Sequence, residues 1–223
     1  VVLGVVIERV AYKPLRSSPR MSVMISAIGV SYLLQNCALY FTGGLPRSYP
    51  VIPFLTKSVK IWGATTKMVT VVTPILTILL VIVLVLLIKY TKIGMAMRAV
   101  SKDFETSQLM GIKINSVISF TFVIGCFLAA VGSMLYFSNY TSVIPTSGAM
   151  PGLKAFVAAV FGGIGSIPGA VIGAFIIGIC ENIIRSFGQD WTVFSDAFTF
   201  VLLIVVLLVK PTGIFGEKAT DKV

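Results

Sequence analysis

The sequence predicts an all-α fold, a polytopic transmembrane helical bundle with a short cytoplasmic helix and a Gly-rich broken-helix hairpin. Hydrophobic residues make up 57% of the 223 positions and charged residues 12%, about half the charged share of a soluble domain. A chain this apolar cannot cover its exterior with polar groups, so lipid is its natural solvent. The apolar residues gather in runs close to the ~20 residues that cross a bilayer as a helix. The net charge is +10, and the basic residues fall mainly between the runs, where positive charge sets membrane orientation.

The elements follow in order. Residues 1–7 are apolar but too few to span, and they lack the charged flank and cleavage site of a signal peptide. They read as the end of a truncated span, with an N-terminal part expected before them. Runs at 21–41, 69–88, 117–138 and 194–209 read as spans. The last extends backwards through Trp191, a residue type favoured at the interface. Residues 151–185 are too many for one helix and are broken by the run Gly162-Gly163-Ile164-Gly165-Ser166-Ile167-Pro168-Gly169. They read as two short apolar helices joined by a tight turn, all within one transmembrane domain, 1–223.

Orientation comes from counting Lys and Arg. The connectors 8–20 and 89–116 and the tail beyond 209 hold twelve of the 18, leaving six for the other side. This places those three regions in the cytoplasm. The loop 42–68 carries four and blurs the asymmetry.

Composition also excludes functions. The basic residues punctuate membrane runs instead of forming a nucleic-acid stripe. The chain has no histidine, which removes the commonest general base and metal ligand. Cys37, Cys126 and Cys180 lie singly in apolar runs without metal or disulfide spacing. No nucleophile–base pair or metal cluster is visible. The Gly-rich run lacks the Lys-Ser/Thr ending that holds phosphate and magnesium, so this chain is not expected to hydrolyse ATP.

In the connector 89–116, Ile93, Met97, Val100 and Phe104 stack on one helical face. Arg98, Ser101, Lys102 and Glu105 take another, and Gly111 reads as a helix stop. Such a helix either lies on the membrane surface or docks into a partner's groove. In the hairpin, Gly165, Gly169 and Gly173 recur every four residues. That spacing lets helices approach closely; alternatively, Gly162, Gly163, Gly165, Ser166 and Gly169 form irregular backbone lining a route. Glu181 stands four residues before Arg185, the spacing of a same-face ion pair, and is otherwise a pathway candidate. Gln35 and Asn36 either hydrogen-bond between helices or line the pathway.

The run Gly94-Met95-Ala96-Met97-Arg98-Ala99-Val100-Ser101-Lys102-Asp103-Phe104-Glu105-Thr106, continuing to Gly111-Ile112, resembles the coupling loop of branched-chain amino-acid ABC permeases. Glu8 to Arg16 resembles the first cytoplasmic connector of that family. The stretches Gly152 to Val160 and Gly162 to Ala170 resemble its late hairpin, and Lys210 to Gly216 its C-terminal ending. The similarity is to the H-type permease, which pairs with a related M-type subunit. The resemblance implies a bacterial or archaeal plasma-membrane importer subunit moving branched-chain amino acids, or urea and short amides. It implies two cytoplasmic ATP-binding subunits that hold ATP and Mg, a second related permease subunit and an extracytoplasmic substrate-binding protein. Arg98, Ser101, Lys102, Asp103, Phe104, Glu105 and Gly111 would lie against an ATPase subunit. A self-sufficient channel or secondary carrier would want an ionisable relay in the bilayer, and a membrane scaffold would leave this connector unexplained.

Overall fold

The computed structural model describes residues 1–15, 20–50, 57–61, 64–140, 142–163, 165–210 and 213. They fall into two compact units, Val1–Thr146 and Ser147–Val223.

The first unit opens with helix α1 (Val2–Ile7), which widens into a π-helical turn over Glu8–Tyr12. The Lys13 amide accordingly reaches five residues back to the Glu8 carbonyl, at 2.9 Å. Helix α2 (Arg20–Thr42) and α3 (Met68–Tyr90) follow, each of 23 residues. The loop between them holds β1 (Arg47–Ser48) and the hairpin of β2 (Ser58–Ile61) with β3 (Ala64–Lys67). Next come α4 (Lys92–Lys102), α5 (Phe104–Leu109) and α6 (Ile114–Asn139). Strand β4 (Ser142–Val143) returns antiparallel to β1, with Arg47 opposite Val143. These short strands sit in a fold read from sequence as purely helical; they pair extended loop backbone that has no helical partner.

Helix α3 is the most apolar element, with a mean hydropathy of 3.3 and none of that window buried within the protein. Ile75, Ile78, Leu79, Ile82, Val83 and Leu86 are all exposed on it. In water such a helix would not be stable; in hydrocarbon its outward face is matched, and its backbone bonds are internal. Helices α6 (mean hydropathy 2.2) and α8 (1.9) are likewise long and apolar enough to cross a bilayer. The protein is a membrane-embedded, all-α polytopic chain.

The second unit comprises α7 (Ala149–Gly162), α8 (Ile167–Ser186) and α9 (Gln189–Val209). Its core is Val157, Ala158 and Phe161 of α7 with Ile177 of α8, flanked by Phe200, Leu203 and Val206 of α9. The hairpin forms as expected, but its arms are unequal. The first has 14 residues, whereas the second has 20 and is a full-length span instead of a short helix. Its polar end at Glu181, Asn182 and Arg185 stays helical because those side chains find partners on the helix or across it.

Candidate functional site

The connector after α3 turns sharply into α4. The backbone at Gly94 lies so close to the Ile88 and Leu87 carbonyls that a Cβ would collide with them, so glycine alone permits the corner. Thr91 caps α4, its Oγ1 accepting from the Gly94 amide at 3.0 Å. Helix α4 then packs against α3 and α6, with Met97 and Val100 half-buried and Ile93 exposed.

The single amphipathic helix read from sequence is in fact two. The backbone at Asp103 is extended, φ −150° and ψ 112°. Its carboxylate accepts from the Thr106 amide at 3.2 Å and from the Thr106 hydroxyl at 2.8 Å. An aspartate at this position competes for helical bonding and begins a new helix. Phe104 therefore leaves the stripe of Ile93, Met97 and Val100 and is 48% exposed.

Arg98 donates through Nη2 to the Lys89 carbonyl at 3.2 Å, which satisfies a carbonyl at the end of α3 and opposes its dipole. Ser101 donates to the Arg98 carbonyl at 2.9 Å. Lys102 and Glu105 are exposed. Gly111 has φ +80°, so the left-handed stop expected there is present. The residues that stand out furthest are Leu109, 88% exposed, and Met110, 79% exposed, which the periodicity did not single out. Together α4 and α5 form a polar-flanked knob with an apolar tip.

In the hairpin, the glycines pack. A Cβ at Gly162 would run into the Gly169 carbonyl, and one at Gly173 would lie 2.7 Å from the Ala158 carbonyl. Gly163 and Gly165 adopt φ +110° and +100° to make the turn. Ser166 caps α8, accepting from the Gly169 amide at 3.2 Å. At the far end of α9, Gly213 abuts the same turn, where a Cβ would fall 2.5 Å from the Gly163 Cα.

A charge network ties the three helices of this unit. Lys154 Nζ lies 2.6 Å from Glu181 Oε1 and 2.6 Å from Asp196 Oδ1, and Arg185 pairs with Glu181 on its own helix. The Glu181–Arg185 pair was legible from spacing; Lys154 and Asp196 were not, being 27 and 15 residues from Glu181 in sequence. Two cations and two anions compensate one another, which is the condition for placing such groups among membrane helices.

Residues 1–207 match the profile of a family described as "Branched-chain amino acid transport system / permease component". The chain belongs to this family. It is 41% identical over 220 residues to the high-affinity branched-chain amino acid transport system permease protein LivH of Salmonella typhimurium, covering 97% of this chain and 71% of that protein. It is 40% identical over 227 residues to BraD of Pseudomonas aeruginosa, named in the same words, covering 99% and 72%. The ribose import permease protein RbsC of Haemophilus influenzae is 32% identical over 127 residues, 54% of this chain and 39% of that one. No solved structure matches.

Within this permease family frame, the residues chosen from sequence separate into three places. Arg98, Ser101, Lys102, Asp103, Phe104, Glu105 and Gly111 share the α4–α5 connector. Gly162, Gly163, Gly165, Ser166 and Gly169 share the hairpin turn, and Glu181 lies in the charge network. Of the two readings of Gln35 and Asn36, hydrogen bonding between helices is not what the structure has. Gln35 donates to Ser31 Oγ at 3.4 Å and Asn36 to the Tyr32 carbonyl at 2.8 Å, both one turn back within α2, which is the nearest acceptor for such side chains in a helix.

Proposed function

We propose that the chain is a transmembrane permease subunit of an ATP-binding-cassette importer for leucine, isoleucine and valine, working by alternating access in a bacterial or archaeal plasma membrane. ATP and Mg are held by two separate cytoplasmic subunits; a second related permease completes the pathway and an extracytoplasmic receptor delivers substrate. Membership of the permease family and the names of the relatives above support the substrate class.

The α4–α5 connector is the observation that carries the mechanism. It is a short, doubly capped structure between two membrane helices, braced on both and tipped by Leu109 and Met110. A groove on an ATPase subunit would take the apolar tip, with Lys102 and Glu105 at the rim. Arg98 and Asp103 act from within, holding the knob's shape. Because α4 is tied to the end of α3 through Arg98 and Gly94, displacement of the knob moves α3 with it. Closure of the ATPase pair thus becomes a movement of membrane helices.

The test replaces residues 98–105 with a Gly/Ser linker in the full complex. Association of the ATPase subunits with the membrane fraction should be lost while the permease still inserts. Undiminished association would remove the connector from the docking role.

A further inference from the structure

Building on the importer reading, we infer that the groove between α3 and α6 is a subsite for the transported amino acid, with its polar head at one end and its branched side chain beyond Gly132. The groove has two chambers. One, of about 380 Å³, is lined by Thr70, Thr73, Pro74, Thr77, Tyr136 and Asn139. The other, of about 200 Å³, is lined by Leu80, Val81, Leu84, Leu128 and Val131. Thr77, Gly132 and Leu135 border both. Leu84 lies sixteen residues beyond Met68, so the apolar chamber reaches about 24 Å along α3 at ~1.5 Å per residue. The groove therefore runs from the membrane end that holds Lys67 to beyond mid-helix.

The first chamber offers partners to a zwitterion. Pro74 has no N–H, so the carbonyl of Thr70, a lining residue, lacks its usual helical donor and is left as an acceptor for an ammonium. The Thr73 and Thr77 hydroxyls each donate to a carbonyl one turn back and keep lone pairs for the same ammonium. Lys67 Nζ donates to the carbonyl of the lining residue Asn139 at 3.4 Å and brings to that end of the groove a positive charge for a carboxylate. The second chamber is lined by Leu and Val side chains and suits an aliphatic chain.

Gly132 marks the waist. Among the described residues no atom lies within 4 Å of the position its Cβ would take. Its φ is not in the left-handed region, so neither close packing nor a turn requires glycine there. Glycine is a poorer helix former than alanine. What its absent side chain does is keep the passage between the chambers open.

The experiment measures ATP-driven uptake of leucine and valine by the complete importer in proteoliposomes, at saturating receptor, for wild type, Gly132→Ala and Gly132→Leu. At receptor saturation the maximal rate reports the permease. Gly132→Leu should lower the leucine rate about fivefold more than the valine rate, a shift of roughly 1 kcal/mol in discrimination. Gly132→Ala narrows the same waist by a single methyl and should shift the leucine-to-valine ratio in the same direction by only about twofold. Parallel loss for both substrates, or no loss for either because an acyl chain fills the groove, overturns the assignment. A wild-type importer that moves neither substrate overturns the importer reading itself, and the subsite with it.

Discussion

Lys154 Nζ and Asp196 Oδ1 stand 2.6 Å apart, joining α7 to α9 across 42 residues of sequence. The same ammonium holds Glu181 of α8 at 2.6 Å, so one side chain gathers all three helices of the second unit. Desolvation offsets much of the Coulombic gain of such a network, but removing one partner strands the others.

Lys154→Met should therefore destabilise the detergent-solubilised complex by about 2 kcal/mol, below the usual ~3–5 kcal/mol for a buried pair because Lys154 is 21% exposed. Replacing all four members, Lys154, Glu181, Arg185 and Asp196, by Leu should recover most of that loss. Thermal unfolding of the two variants checks this, and a quadruple variant weaker than the single one would refute the stranded-charge account.

The hairpin glycines separate by their surroundings. Gly162→Ala forces a methyl into the Gly169 carbonyl; backbone cannot yield as a side chain does, so the cost should exceed the ~1–3 kcal/mol of ordinary overpacking. At Gly178 no described atom lies within 4 Å of a Cβ, and Gly178→Ala should be neutral or stabilising by up to about 1 kcal/mol. Expression level and thermal unfolding of the pair would read the contrast; equal effects would contradict close packing at the turn.

Asp103 shapes the connector as an N-cap. Asp103→Ala should weaken α5 by about 1 kcal/mol, seen as roughly fivefold faster hydrogen exchange over residues 104–109. Asp103→Asn keeps the acceptor and should restore protection near wild type. Unchanged exchange in Asp103→Ala would show that packing alone holds α5.

How much of this was legible in the sequence depends on the range of the interactions. The spans at 69–88 and 117–138 came out within three residues because hydropathy is local and lipid gives it no competitor. The stop at Gly111 was legible because a single residue's backbone freedom decides it. The break at Asp103 was not, since the apolar period of Ile93, Met97, Val100 and Phe104 runs on through a cap whose effect lies in one side-chain geometry. The second hairpin arm was read short because the run 162–169 was taken whole as the break, whereas α8 begins within it at Ile167. Not legible was the nearness of Lys154 to Glu181 and Asp196, which no local pattern encodes.

The apolar tip of the connector offers a direct energetic prediction. Leu109→Ser together with Met110→Ser should weaken ATPase-subunit binding about 30-fold, roughly 2 kcal/mol of lost apolar burial. Lys102→Gln at the rim should change it less than about threefold. Pull-down titration of the membrane complex measures both. A larger effect at Lys102 than at the tip would mean that charge, not apolar contact, holds the partner.

The most direct measurement is uptake of radiolabelled leucine by proteoliposomes holding this permease, its partner permease and receptor, with and without the ATPase subunits and Mg-ATP. Accumulation that requires the ATPase subunits and stops on ATP removal is the predicted result. Leucine entry at the same rate without them would contradict the account.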